Sequence, residues 1–317
     1  MSTTIHLQGK NHTYKFSHPQ DRIGEGNLAF VYRGTRDDQK VVAVKVLKKA
    51  YSLNPMITKI YEKAVDINLD SDHLTKVYDY VVTGSSTSPK HHLIIEFVQG
   101  MSFDQVLDKN LSIKDVLKYT RQLLQGLSEL HSLGYLHRDI KPSNFMLGQG
   151  DFLKITDYDT IIRQDDAVAK APYMGTYNYS SPEQIQQEKL DPRTDIWSAG
   201  IFLYRALIGK TPFEDIENKK ERKEKIVNGD ILIPTEIDLI LEGILRKAIT
   251  PDKSMRYSSA MEMRMALENY EGIKSKWWFK FYNRYFLPGS LNAYAKVILI
   301  TITILLFLTF LILLHNG

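Results

Sequence analysis

His137-Arg138-Asp139-Ile140-Lys141-Pro142-Ser143-Asn144 is followed, thirteen residues after the asparagine, by Asp157 in Leu153-Lys154-Ile155-Thr156-Asp157-Tyr158-Asp159. The first three residues alone are a weak signal. The full eight-residue pattern, with an aspartate at that distance behind the strand-like run Phe152-Leu153-Lys154-Ile155, is a specific one. Upstream, Val41–Leu47 is a β-branched, period-2 run that reads as a strand with one face buried, and it carries Lys45. Before it lies Ile23-Gly24-Glu25-Gly26-Asn27-Leu28-Ala29-Phe30-Val31. Its glycines let the backbone bend, and approach a ligand, without a Cβ penalty. Taken alone that stretch reads as well as a hairpin turn; its place ahead of Val42-Ala43-Val44-Lys45 favours a ligand-covering loop.

In this order the motifs resemble the eukaryotic-type (Hanks-type) Ser/Thr protein kinase family, bacterial members included, over about residues 15–270. The resemblance implies an α+β, two-lobed fold: a small antiparallel β lobe with one helix (15–99), and a large, mostly helical lobe (100–270). ATP and Mg2+ would lie between them. By the same resemblance Asp139 is the base and Lys141 the cation at the transferring group, while Asn144 and Asp157 hold the metal. Oxygen donors of this kind suit Mg2+, which takes one or two carboxylates together with substrate phosphates. Lys45 would reach the phosphates. Counting back from Lys76-Val77-Tyr78-Asp79 makes Glu62, in Ile60-Tyr61-Glu62-Lys63-Ala64-Val65, its helix partner; an ordinary surface carboxylate is the other reading of Glu62. Ile23, Gly24, Glu25, Gly26, Val31 and Ala43 are the remaining nucleotide-contacting positions of the small lobe. The carbonyl of Glu96 and the amide of Val98 would meet the adenine edge.

The second half supplies further matches. Gly175-Thr176-Tyr177-Asn178-Tyr179-Ser180-Ser181-Pro182-Glu183 resembles the end of the activation segment, with Ser181 in place of the usual Ala. Asp195-Ile196-Trp197-Ser198-Ala199-Gly200 resembles the start of the central large-lobe helix, whose Asp holds the catalytic-loop backbone in this family. Arg256 would pair with Glu183. Lys141 and Thr176 point to Ser/Thr acceptors. Two departures stand out. Asp157-Tyr158-Asp159 replaces Asp-Phe-Gly, and the segment from Asp159 to Gly175 offers only Thr160 and Tyr173 as hydroxyl acceptors, with Asp165 and Asp166 as permanent anions. The latter suggests a kinase not switched on by activation-segment phosphorylation; a solvated loop is the other reading of the two aspartates. A membrane-tethered pseudokinase that binds nucleotide is the competing reading; retention of Lys45, Asp139, Asn144 and Asp157 weighs against it. Phosphorylation of small molecules is disfavoured by Lys141, Thr176 and the complete Pro-Glu motif.

The chain of 317 residues has no cysteine, which excludes disulfides and zinc–thiolate sites. A net charge of +4 is too mild to argue for nucleic-acid binding, and protein substrates are the expected partners. After a short N-terminal extension (1–14) and the kinase region, the composition changes. Residues 271–296 mix basic and aromatic side chains, as in Lys274-Ser275-Lys276-Trp277-Trp278-Phe279-Lys280, a pattern suited to lipid headgroups. Val297–Leu314 is uncharged and apolar, diluted only by Thr301, Thr303 and Thr309. As a helix it would be about 27 Å long, near the thickness of the hydrocarbon core. The expectation is therefore a single-pass transmembrane helix at 297–314, with the kinase facing the cytoplasm, since the basic residues lie on its N-terminal side. Concentration on a membrane would also allow self-association for phosphorylation in trans.

Overall fold

The structure, a computed structural model, describes residues 2–67, 70–166, 177–275 and 301–302. The chain divides into two compact units, Met1–Met265 and Ala266–Gly317. The first contains both lobes expected from the sequence.

The small lobe is an antiparallel sheet of seven strands: β1 (Thr3–Gln8), β2 (Thr13–His18), β3 (Arg22–Glu25), β4 (Ala29–Arg36), β5 (Val41–Leu47), β6 (Val77–Ser85) and β7 (Ser88–Glu96). The order is β1-β2-β4-β5-β7-β6, with β3 pairing β4. Residues 3–8, read from the sequence as part of an N-terminal extension, thus form an edge strand of this sheet. The reason is alternation: Ile5 and Leu7 point to the same face as Tyr14 and Phe16 and pack with Tyr32, Val42, Val44 and Ile94. Helix α1 (Pro55–Ala64) starts at an Asn54 cap, whose side chain accepts from the Met56 amide, with Pro55 at the first helical position. It buries Ile57, Ile60, Tyr61 and Ala64 along one stripe.

The large lobe opens with β8 (Gly100–Ser102), α2 (Phe103–Leu107) and the long α3 (Ile113–Ser132). Strands β9 (Tyr135–Leu136), β10 (Phe145–Gly148), β11 (Leu153–Ile155) and β12 (Ile162–Arg163) form two small sheets, β11-β10-β8 and β12-β9. A Cβ on Gly100 would lie 1.9 Å from the Leu147 carbonyl oxygen, so the β8–β10 pairing requires glycine there. Helices α4 (Pro182–Ile185), α5 (Arg193–Ile208), α6 (Lys219–Asn228), α7 (Leu239–Ala248) and α8 (Ala260–Ser275) follow. Helix α5 is buried nearly all round, from Thr194 to Tyr204, as a central helix must be. Among the described residues no helix is long and apolar enough to cross a membrane. The run 297–314 lies outside the described residues except for Thr301 and Ile302, and the 271–296 segment except for its first five.

Candidate active site

The loop 137–144 is fixed from below by Asp195 in the first turn of α5. Asp195 Oδ2 accepts from the His137 amide (2.9 Å) and from His131 Nε2 (2.8 Å), and Oδ1 accepts from the Arg138 amide (2.8 Å). Burial alone would raise the pKa of this fully enclosed carboxylate. The hydrogen bond and charge of His131, with His137, outweigh it and hold the pKa below the ordinary aspartate value. Arg138 has a positive φ of 69°, a conformation that costs a non-glycine residue energy and persists only where the surroundings impose it. Three contacts do so: its amide to Asp195, Nε to the Thr160 carbonyl (2.6 Å), and its carbonyl accepting from Gln184 Nε2 (2.8 Å). Gln184 also closes a capping box with Ser181, which gives the serine at that unusual position a purpose at the start of α4.

On the upper side of this loop the predicted catalytic residues converge. Lys141 Nζ lies 2.7 Å from Asp139 Oδ2. Asn144 Nδ2 donates to the Asp139 carbonyl (2.7 Å) and to its Oδ2 (2.9 Å), which leaves the amide oxygen, the atom that the resemblance assigns to the metal, on the opposite edge. The Asn144 carbonyl accepts from the amide (2.9 Å) and hydroxyl (3.1 Å) of Thr156, the residue before Asp157. The 137–144 loop and the segment that carries Asp157 are thereby set against each other.

Lys45, at the centre of β5, reaches across to that segment. Its Nζ is 2.7 Å from Asp157 Oδ1 and 2.5 Å from Asp159 Oδ1. Burial by itself would lower the lysine pKa; the two carboxylates outweigh burial and raise it. Asp157 is held below the ordinary range, because Lys45 and the Asp159 amide overcome the opposing effect of burial. Asp159 is pushed up, by burial first and by the charge of Asp157 second. Glu62 is not brought to Lys45. It is exposed on α1, whose sheet-facing positions are Ile57, Ile60, Tyr61 and Ala64. The count from β6 placed the carboxylate one position off the buried stripe, and a one-residue step on a helix turns a side chain by about 100°.

In the glycine-rich turn, β3 and β4 pair Gly24 with Val31 and Glu25 with Phe30, and the Gly26 amide donates to the Ala29 carbonyl (2.8 Å). Neither Gly24 nor Gly26 has positive φ. A Cβ at either would meet only Val31 Cβ at 3.9 Å or the Ala29 carbonyl oxygen at 3.7 Å. Folding does not demand glycine at these two positions, and what their hydrogens preserve is open space above the turn, as a polyphosphate requires. Ile23 is half exposed, and Ala43 is buried beneath, on β5. Glu25 is turned away into ion pairs with Arg22 and with Lys48 (2.7 Å). At the lobe connection the Glu96 carboxylate accepts from Lys154 Nζ on β11 (2.9 Å to each oxygen) and from the Lys76 amide (3.2 Å). The connecting strand is thus tied to the segment that carries Asp157, and a Cβ on Gly148 would come within 3.2 Å of Val98 Cγ1. Sequence reading missed Lys154; nothing in its strand pattern distinguishes it from a solvated lysine. Thr176 and Tyr173 lie outside the described residues.

The expected nucleotide and metal fit what is present: an open glycine cradle, a buried ammonium, and an amide and a carboxylate as hard oxygen donors. The geometry fits the phosphoryl-transfer site that the resemblance implies between the two lobes, and the family comparisons agree on the fold. The chain belongs to the protein kinase family, whose protein kinase domain it matches over residues 17–268, and within it to the Hanks-type Ser/Thr kinases. A probable serine/threonine-protein kinase of Dictyostelium discoideum is 32% identical over 243 residues, covering 74% of this chain and 29% of that protein. Serine/threonine-protein kinase PknA of Corynebacterium glutamicum is 28% identical over 262 residues, 77% of this chain and 54% of PknA. A serine/threonine-protein kinase of Arabidopsis thaliana is 28% identical over 269 residues, 81% and 54% respectively. The chain thus spans from under a third to about half of the length of these relatives. Members of the family use ATP and Mg2+.

Proposed function

We propose that this chain is a serine/threonine protein kinase that transfers the γ-phosphoryl group of Mg-ATP to hydroxyls of protein substrates. The observation that carries this is the Asp139–Lys141–Asn144 cluster, locked to Asp195 below and to the Asp157 segment beside it. Asp139 Oδ2 accepts the proton of the incoming hydroxyl. The Lys141 ammonium holds that carboxylate in place and offers positive charge to the transferring group. Lys45 would bind phosphate oxygens, while Asn144 and Asp157 would hold the metal, which supplies charge neutralisation on those oxygens. Thr176 beneath the acceptor hydroxyl belongs to the same reading.

Arg138 supports a constitutively ordered site. In the resembled family this arginine meets a phosphorylated activation-segment residue; here its Nε donates to the Thr160 carbonyl. The Thr160 hydroxyl is itself buried and donates to the His137 carbonyl (2.8 Å).

The reading extends to a tether at the C-terminal end. The apolar run 297–314 spans a membrane once, the basic and aromatic 274–287 stretch lies at the headgroups, and the kinase region faces the cytoplasm, where two chains on one surface can phosphorylate each other. Its support is compositional.

Full-length protein in lipid nanodiscs, given labelled ATP, Mg2+ and a generic Ser/Thr acceptor, is the test of the activity. Transfer abolished by Asp139→Asn is the expected outcome. Nucleotide binding without any transfer by the wild type would replace the reading with a nucleotide-binding scaffold. Carbonate extraction of membranes tests the tether: full-length protein should stay in the pellet, and its release to the supernatant would remove the tether from the reading.

A further inference from the structure

A buried ammonium needs an anion, and in this fold the resemblance assigns that duty to a carboxylate on helix α1. The helix supplies none. Its residue facing Lys45 is Tyr61, fully buried; the Tyr61 hydroxyl lies near the Asp159 carboxylate yet meets no partner at hydrogen-bond geometry. Glu62, one position on, is exposed. The carboxylates that do reach Lys45 come from the metal-binding segment, and one of them, Asp159, stands where the family has glycine.

The two are not equivalent. Asp157 has a second duty as metal ligand, and a carboxylate shared with a metal is a weaker partner for an ammonium. Asp159 makes the shorter contact, 2.5 Å against 2.7 Å, and its side chain is 11% exposed against 31% for Asp157. Its backbone is fixed as well: the Asp159 amide donates to Asp157 Oδ1 at 3.0 Å, and the neighbouring Tyr158 is buried with its hydroxyl donating to the Thr75 carbonyl at 2.8 Å. An aspartate at this position therefore presents its carboxylate from a rigid, enclosed segment. The residue that looks like damage to a metal motif is placed as a replacement for the missing helix carboxylate.

We propose that Asp159 is the positioning carboxylate for Lys45, holding its ammonium at the phosphate site from the metal-binding segment and releasing helix α1 from that role. This rests on the kinase reading above and adds how the phosphate-binding lysine is fixed. Two consequences separate it from a merely structural aspartate. Pairing of Lys45 should depend on residue 159 and not on residue 62. A carboxylate returned to the helix face that meets Lys45, through Tyr61→Glu, should make Asp159 dispensable.

The experiment uses the full-length chain in nanodiscs as wild type, Asp159→Asn, Asp159→Gly, Glu62→Gln, and Tyr61→Glu combined with Asp159→Gly. The first readout needs no activity: metal-free and nucleotide-free protein is pulsed with an amine-reactive reagent, and modification of Lys45 is quantified by mass spectrometry. The second is kcat and KM for ATP. Losing the positioning carboxylate should raise Lys45 modification several-fold in both Asp159 variants. It should lower kcat by about a hundredfold, the scale of a misplaced catalytic group, with a much smaller change in KM. Glu62→Gln should match wild type in both readouts, and the double variant should recover protected Lys45 and most of kcat. Wild-type behaviour of Asp159→Asn overturns the proposal, as does higher turnover than wild type, which would make Asp159 a latch on Lys45. Loss of activity with exposed Lys45 in Glu62→Gln also overturns it, and that exposed substitution folds whatever Asp159→Asn does. If the wild type transfers no phosphoryl group, the kinase reading fails while the labelling pattern still decides the pairing.

Discussion

The Glu183–Arg256 pair offers the sharpest quantitative test of how the large lobe is built. Arg256 has all five N–H groups engaged: Nη1 and Nη2 to the two Glu183 oxygens (2.7 and 2.9 Å), and the remainder to the carbonyls of Thr250 (2.7 Å), Arg193 (3.0 Å) and Pro251 (2.8 Å). The side chains are 0% and 3% exposed, and the guanidinium also lies 5.0 Å from the Trp197 ring centroid. Thr194 Oγ1 donates to the same Glu183 oxygen as Nη1, at 2.9 Å. Arg256→Ala leaves a buried carboxylate with a single hydroxyl donor and strands three carbonyls. Removing one partner of such a pair costs about 3–5 kcal/mol. At about 2–4 °C per kcal/mol for a domain of this size, the melting temperature should fall by about 6–20 °C. Urea unfolding followed by fluorescence is suitable, because Trp197 sits against the pair and the other two tryptophans, Trp277 and Trp278, can be changed to phenylalanine. Replacing both charges, as Glu183→Leu with Arg256→Met, should be less damaging than Arg256→Ala alone, since no orphaned charge remains. A loss below about 1 kcal/mol for Arg256→Ala, the size of an exposed pair, would refute this reasoning.

Three further outcomes are expected. Because Asn144 Nδ2 orients the Asp139 carboxylate, Asn144→Ala should reduce kcat by at least the hundredfold that misplacing a reacting group costs, about 2.7 kcal/mol in the barrier, and Mg2+ titration of turnover should shift to higher concentration. Phosphatase treatment of the purified protein should leave its turnover unchanged, since Arg138 Nε already donates to the Thr160 carbonyl; loss of turnover would assign Arg138 a phosphorylated partner instead. Burial, assisted by the nearby charge of Lys90 and His91, lowers the pKa of His92 below 6.5 despite the favourable hydrogen bond to the Val81 carbonyl. The unfolded chain then binds the extra proton over the window from 6.5 down to the folded value. Stability should therefore fall as pH drops through that window and level off above it, and His92→Gln should flatten the slope in urea titrations.

Legibility of this chain in its sequence followed the range over which each feature is determined. The partners of Asp195 and Arg256 are legible in the sequence, because each lies inside a short motif whose spacing is set by a rigid element. Edge strand β1 is hard to read although Ile5 and Leu7 alternate correctly, since six residues without a partner carry little weight without Tyr14 and Phe16 opposite them. Glu62 failed for a different reason. A count through the connection between α1 and β6 fixes it poorly, because an insertion there changes the count without changing the fold. The phase of α1 was the better guide: Ile57, Ile60, Tyr61 and Ala64 are spaced three, one and three apart and define a stripe that excludes residue 62. By that phase the helix presents a phenol to a buried lysine, and Lys45 needs another anion. The one unexplained carboxylate nearby in the motif order was Asp159. Two departures from the family pattern, a tyrosine on the helix and an aspartate in place of glycine, are then a single compensated change rather than two defects. That coupling predicts a thermodynamic signature: Tyr61→Glu on its own crowds a third carboxylate against Asp157 and Asp159 and should destabilise the small lobe, while the same substitution in an Asp159→Gly background should cost less. Equal costs in the two backgrounds, measured by urea unfolding, would show the positions to be independent and the two departures unrelated.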